Sequence, residues 1–299
     1  MTAPADGHPR CSDPLPLDEA LQGAGLRRVM GEHSPVAPLW SLSIVSHGHL
    51  VSVRRLLADL ARFYQPGRFE VVITINDSEL DPADDLTRIW PGPLLITRND
   101  RPRGFAANHN SAAQMCRGDL LAILDSDLSF GADPFQVLEQ HLLSPGSRLI
   151  ASPTIVNVRG EVEDNARGLI TPAALVRRHV FGGRHRRRVV NDRQPADWIA
   201  GLFIAITRQD FAQLQGFDER YFMYCEDADL SIRARNLGFE VAAIRTAPVI
   251  HEARRMSARK LRYFLWHATS LLKHWTSSAF WKYLLATKKS RPGNPNQGL

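Results

Sequence analysis

The chain has 299 residues, of which 44% are hydrophobic and 23% charged; these are ordinary globular proportions, enough for one large α/β domain or two small ones. No uncharged apolar run of about 18 residues occurs, which excludes a spanning helix. Three cysteines (Cys11, Cys116 and Cys225) are too few and too scattered for a disulfide framework or a zinc site, and Met1 to Pro14 lacks the apolar stretch of a secretory signal. A reducing, cytoplasmic compartment is the expectation.

Residues 1–37 read as a flexible leader rich in proline, with one short helix expected over Asp18 to Met30. The core begins at the strand Leu42 to Ser46. A helix follows, carrying Leu50, Val53, Leu56, Leu57 and Leu60 at helical spacing. Phe69 to Ile75 and Leu94 to Thr97 are strands, and Phe105 to Cys116 is a helix. Leu120 to Leu124 is an apolar run bounded by polar residues, the pattern of a strand buried on both faces. This alternation predicts parallel βαβ units.

Beyond Asp127 the pattern changes. Asp133-Pro134 opens a helix to about Leu143. Leu149 to Val158 and Trp198 to Thr207 each read as one strand, with a polar, basic, irregular loop from Gly160 to Pro195 between them. Asp227 to Leu237 is a helix that Gly238 is placed to end, followed by strands Phe239 to Ile244 and Val249 to His251. Lys260 to Leu285 reads as an amphipathic helix within a basic extension, 257–287, and 288–299 as a disordered tail. That helix suits either a membrane interface or packing on the core.

The net charge of +6 is unevenly placed. From Ala253 to Leu299 there is no Asp or Glu but ten Lys or Arg. A second basic cluster runs from Arg177 to Arg188. Such patches attract nucleic acid, anionic lipid or phosphorylated substrates, and composition does not choose among them.

Two acidic clusters carry the chemistry. Asp125-Ser126-Asp127 follows the buried strand, and in open α/β sheets ligands bind beyond the carboxyl ends of strands. Carboxylates at i and i+2 there can hold a divalent cation against a diphosphate, although Asp and Ser also make ordinary turns. Glu226-Asp227 opens a helix, where acids complement the helix dipole. The preceding Tyr221-Phe222-Met223-Tyr224 offers aromatic walls that can raise a carboxyl pKa and make a base. His251 ends an apolar run and is either a metal ligand or a structural hydrogen-bonding residue.

Taken in order, Ser43-Ile44-Val45-Ser46, the stretch Asn99 to Asn110 and Leu121-Ala122-Ile123-Leu124-Asp125-Ser126-Asp127 resemble a family-2 glycosyltransferase. Trp198-Ile199-Ala200-Gly201, Gly216 to Leu230 and Val249-Ile250-His251-Glu252 extend the resemblance, which covers roughly 41–275. It is strongest to the rhamnosyltransferase-like branch of bacterial surface polysaccharide synthesis. Two departures stand out: Asn76-Asp77-Ser78 replaces the family's Asp-Asn-x-Ser, and Gln215 replaces the first of two glycines.

The resemblance implies a glycosyltransferase A-type fold over 38–256, α/β with a Rossmann-like mixed sheet flanked by helices. The nucleotide-binding half would be about 41–127 and the acceptor half about 128–256. It implies inverting transfer from a nucleotide-diphospho-sugar, with L-rhamnose from dTDP-rhamnose as first choice and another hexosyl or deoxyhexosyl donor as alternative. Carried over, Asp125, Asp127 and His251 hold Mg²⁺ or Mn²⁺, Asp227 is the base and Glu226 supports it. Ser46, Asn76, Asp77, Asn99, Gly104, Asn108 and Ser126 join the aspartates on the donor side, and Trp198, Gly201 and Tyr224 face the acceptor. The acceptor would be a glycan or lipid-linked glycan for O-antigen or lipopolysaccharide, met at the cytoplasmic face of the inner membrane. More remote readings are a nucleotidyltransferase, which usually shows a Gly-rich phosphate loop absent at Ser46-His47-Gly48, and a basic nucleic-acid-binding protein, which buried acids oppose. No nucleic acid partner is expected.

Overall fold

The structure, a computed structural model, describes residues 37–77, 83–181, 192–252 and 260–289. The helix expected over Asp18 to Met30, most of the Arg-rich cluster and the tail beyond 289 lie outside the described residues.

The first half alternates as its pattern predicts. The elements are β1 (Trp40–Ser46), α1 (Leu50–Ala61), β2 (Phe69–Ile75), α2 (Ala83–Ile89), β3 (Leu94–Arg98), α3 (Phe105–Met115) and β4 (Leu120–Leu124). β1 pairs in parallel with β2 and β4, and β2 with β3. Every residue of β2 and β4 is buried, as strands covered on both faces require. Leu124 touches no solvent, so Leu124→Ala would cost about 2–5 kcal/mol in lost transfer energy and residual cavity.

The second half departs from simple alternation. β5 (Leu128–Phe130) and α4 (Phe135–Leu142) follow β4. The single strand expected over Leu149 to Val158 is two, β6 (Leu149–Ser152) and β7 (Ile155–Asn157), in different sheets. Pro153 lies at the break, where it has no N–H to give a ladder. The loop expected from Gly160 to Pro195 holds β8 (Ala166–Arg167), α5 (Pro172–Phe181) and β9 (Arg193–Pro195). α5 starts at a proline, with the Thr171 hydroxyl accepting from the Ala174 N–H. β9 is an edge strand, where Pro195 is tolerated.

The strand expected over Trp198 to Thr207 also divides, into β10 (Trp198–Ile199) and β11 (Phe203–Thr207). Between them the chain turns, with the Ala200 N–H donating to Asn165 O and Leu202 O accepting from the Asp125 N–H. Then come α6 (Arg208–Gln213), α7 (Glu226–Asn236), β12 (Glu240–Ile244) and β13 (Val249–His251). Gly238, at φ 84°, ends α7 as placed. The last expected helix is a pair, α8 (Lys260–Thr276) and α9 (Ser278–Lys289), divided at Ser277, whose hydroxyl accepts from the Phe280 N–H.

The main sheet has eight strands in the order β3-β2-β1-β4-β11-β6-β12-β9. It is mixed, because β11 runs antiparallel to both β4 and β6. Two side ribbons matter for the site. β5-β13-β7 pairs Leu128 with His251 and His251 with Asn157, while β8-β10 pairs Trp198 with Arg167.

Candidate active site

The carboxyl ends of β1, β2 and β4 converge on a cavity of about 440 Å³. Its walls include His47 and His49 after β1, Asn76 and Asp77 after β2, and Asp125 and Ser126 after β4. Arg103, Phe105, Asn108 and His109 come from α3 and its approach, Phe222 and Met223 from the loop before α7, and Arg262, Tyr263 and Trp266 from α8. The location follows from topology, since parallel strands end together and their following loops form the crevice.

A buried amide network shapes the floor. The Asn99 side-chain NH₂ donates to Asn76 Oδ1 and Asn108 Oδ1, each at 2.7 Å. Asn76 Oδ1 also accepts from the Arg103 N–H at 2.8 Å. Asn99 therefore does not line the cavity but fixes two residues that do. Ser46 is likewise behind the wall, where its hydroxyl accepts from the His49 N–H and shapes the β1–α1 turn. At Gly104 a Cβ would stand 2.5 Å from Phe222 O, so only glycine lets α3 approach that loop. The Phe105 N–H closes the contact by donating to Phe222 O.

The β5-β13-β7 ribbon assembles the first acidic pair with its histidine. Because Leu128 stands opposite His251, Asp127 lies beside that imidazole, with Asp127 Oδ1 3.5 Å from Nε2. The β7 hairpin returns Glu163 to the other ring nitrogen, with Oε2 2.9 Å from Nδ1. Burial lowers the His251 pKa, but Asp127 and Glu163 outweigh it and raise it to about 9. Burial, then the neighbouring Asp127, lifts Asp125 to about 6. Asp127 Oδ1 is buried without a hydrogen-bond partner. Among the described residues no three His, Cys, Asp or Glu side chains already form a closed metal cage. The donor set still fits a divalent cation: an orphaned buried carboxylate oxygen, a second carboxylate raised by like charge, and an imidazole whose far nitrogen is held by a carboxylate.

The second acidic pair opens α7 after a strained approach. Tyr224 and Cys225 both have left-handed backbones, at φ 71° and 67°. Each costs about 1–2 kcal/mol, so the surroundings must impose the conformation. They do so by gripping the loop from both sides: Phe222 O accepts from α3, and Met223 O accepts from the Ser270 hydroxyl of α8. Asp227 then accepts the Gly201 N–H on Oδ2 at 2.9 Å and the Ala228 N–H on Oδ1 at 2.8 Å. Burial raises its pKa and those amide donors oppose the rise. Glu226 is buried with Oε2 unpartnered, and burial followed by the Asp227 charge pushes its pKa well up. A Cβ on Gly201 would lie 3.2 Å from the Phe105 ring and 3.7 Å from Asp227 Oδ2. One aromatic ring thus links the pair to the cavity wall.

The three residues expected on the acceptor side do not line this cavity. Trp198 is buried under Arg167, its indole N–H donating to Gly168 O. Gly201 orients Asp227, and Tyr224 is partly exposed beside His267. Several wall residues escaped sequence reading: His109, Arg103 and the α8 trio. His109 is fully buried, held by Ser43 Oγ at 2.8 Å and kept neutral by burial, which lowers it to about 3. Its only signal was a histidine on the inward face of a short helix at a strand-end crevice.

The family model for glycosyl transferase family 2 matches residues 41–213, more than half of the chain. The chain belongs to this family. It has the glycosyltransferase A-type fold that its motifs imply. It is 35% identical over 79 residues to the rhamnosyltransferase WbbL of Escherichia coli (strain K12), covering 26% of this chain and 30% of that protein. A stretch of 74 residues is 35% identical to an N-acetylglucosaminyl-diphospho-decaprenol L-rhamnosyltransferase of Mycobacterium tuberculosis (strain CDC 1551 / Oshkosh), covering 25% and 24%. The matched stretches therefore span less than a third of either relative. Among solved structures, GalNAc-T7 with UDP, GalNAc and Mn²⁺ aligns with a TM-score of 0.56 at 18% identity, covering 74% of this chain and 44% of that one.

Proposed function

We propose that this glycosyltransferase moves a sugar, with inversion, from a nucleotide-diphospho-sugar to a hydroxyl of a glycan or lipid-linked glycan. L-rhamnose from dTDP-rhamnose is the first-choice donor, and O-antigen or a similar surface polysaccharide the product, made at the cytoplasmic face of the inner membrane. The observation that carries this reading is Asp125 in the wall of a strand-end cavity, with Asp127 and its His251 partner next to it and Asp227 joined to the same wall through Gly201 and the Phe105 ring. The names of the curated relatives favour rhamnose, and the Mn²⁺ in the GalNAc-T7 structure favours a divalent cation.

In this reading Asn76 and Asp77 meet the nucleoside, while Asp125, Asp127 and His251 hold Mg²⁺ or Mn²⁺ on the diphosphate. Bound there, the cation would offset the charge gathering on the departing diphosphate. Asp227 takes the proton of the acceptor hydroxyl as its oxygen attacks the anomeric carbon. The Gly201 and Ala228 amides fix the carboxylate while leaving it free lone pairs, since an ionised carboxylate has about four acceptor sites. Its raised pKa makes it a better proton acceptor than an ordinary aspartate. Glu226, placed beside it, favours one shared proton over two buried charges. Attack and departure in one displacement invert the anomeric centre, through an oxocarbenium-like transition state.

The test is turnover of a panel of sugar nucleotides with Mn²⁺, with Mg²⁺ and with chelator. A single preferred donor whose consumption stops on chelation is the expected result. Donor consumption that continues unchanged in chelator would remove the cation, and no consumption of any donor would remove the transferase reading of the cavity.

A further inference from the structure

Helix α8 presents an apolar face on both sides. Inward, Tyr263 and Trp266 wall the cavity together with Arg262. The Trp266 ring lies 4.7 Å from that of Phe222, and Leu271 and His274 are buried beneath the same side. Outward, Leu261 is 72% exposed, Phe264 65%, Leu265 53% and Leu272 61%. These positions, i, i+3, i+4 and i+11, form one stripe along the helix. A single exposed leucine is ordinary, whereas a row of four bulky apolar side chains marks a surface that is covered in use. α9 adds exposed Trp281 and Leu285.

Charge selects what covers it. From Ala253 to Leu299 the chain has ten Lys or Arg and no acid. A second copy is a poor occupant, because a two-fold contact places the same patch against itself and would oppose two purely basic segments. An anionic bilayer satisfies both features, apolar side chains entering the acyl boundary and cations meeting the headgroups. Among the described residues no helix is long and apolar enough to cross a membrane, so contact through α8 is lateral.

We infer that the outer face of α8 docks on an anionic lipid bilayer through Leu261, Phe264, Leu265 and Leu272. The opposite face of the same helix walls the cavity, so docking sets that wall one helix diameter, about 10 Å, from the lipid surface. A lipid-linked acceptor then reaches the site without leaving its membrane; this purpose, though not the docking itself, rests on the function proposed above.

The experiment is flotation of the whole chain with vesicles of phosphatidylcholine alone or mixed with phosphatidylglycerol, without donor or acceptor. Wild type is expected to float with the mixed vesicles and to bind them at least about tenfold more tightly than neutral ones, with release at high salt. Leu261→Glu with Phe264→Glu, both at exposed positions, is expected to lose at least about tenfold in vesicle binding. Its circular dichroism and its melting temperature should be unchanged. Failure of wild type to bind mixed vesicles, or equal binding by the double variant, overturns the inference. So does a wild-type dimer that the variant dissociates with no vesicle binding in either, which would assign the stripe to a second copy. Vesicle binding that stands where no donor is turned over leaves this inference intact and removes only the catalytic reading.

Discussion

The two acidic pairs face opposite kinds of partner. Asp125 and Asp127 end a strand; the adjacent Ser126 and Asp127 amides support Asp125, and the groups brought from afar are side chains, His251 beside Asp127 and Glu163 behind His251. Asp227 opens a helix, and the groups brought against it are backbone amides, from Gly201 and Ala228. Both pairs are buried, and burial raises a carboxyl in each. The first sets the His251 imidazole 3.5 Å from Asp127 Oδ1, a buried oxygen that a divalent cation would also fit. In the second, one carboxylate is held by rigid amides and the other, Glu226, has a buried oxygen with no donor, so a proton is the natural guest. Under the proposed function, one fold thus offers two carboxylate pairs to different positive charges.

The strongest break in this comparison is Asp227→Asn. The change keeps shape and removes the capacity to take a proton. Turnover is expected to fall on the order of 10²–10⁴-fold while dTDP and Mn²⁺ affinities stay within about twofold. Turnover unchanged in Asp227→Asn would move the base elsewhere. Asp127→Asn should do the reverse. Mn²⁺ affinity, read by calorimetry, should fall by about 100-fold or more, since a direct ligand counts for at least as much as an outer partner. Unaltered Mn²⁺ binding there would dissolve the contrast between the pairs.

How far the contrast was legible in the sequence depends on the kind of signal. β4 and its aspartates were readable because a fully buried strand must be continuously apolar, so its polar end stands out. The Gly238 terminator and the parallel first half were readable for similar local reasons. The splitting of Leu149–Val158 and Trp198–Thr207 was not, because apolar runs do not record which sheet receives them; only Pro153 and Gly201 hinted at breaks. Glu163 was invisible for a deeper reason. It reaches His251 through a hairpin, 88 positions away along the chain, and nothing local to either residue encodes that meeting. The same holds for Arg262, Tyr263 and Trp266, which enter the cavity from a helix that composition left undecided between membrane and core. The structure gives that helix both an inner and an outer face.

Glu163 sharpens the comparison at a smaller scale. A metal-binding histidine is commonly steered by a carboxylate on its other nitrogen. If Glu163 serves His251 in this way, Glu163→Ala should weaken Mn²⁺ binding about tenfold without touching the Asp227 chemistry. At saturating Mn²⁺ the turnover number should therefore return to near wild type. A loss of turnover that saturating Mn²⁺ does not restore would show that Glu163 acts on something other than the cation.

The smallest expected effect concerns the proton held by the second pair. The folded-state pKa of Glu226 lies well above its ordinary value, because burial and then Asp227 disfavour its charge. A carboxyl raised on folding adds stability that is fully present below its unfolded value, near the ordinary 4.5, and is lost as pH rises through the folded value. Glu226→Gln imitates the protonated state at every pH. Variant and wild type should therefore unfold at similar temperatures near that lower limit and separate as pH rises, the variant becoming the more stable by about 1 kcal/mol. The first pair should show no such gain in the presence of Mn²⁺, because there the bound cation, not a proton, would offset the buried charge. A Glu226→Gln difference that is flat with pH would mean that this carboxyl is not where the second pair keeps its proton, and the division of labour between the two pairs would lose its physical basis.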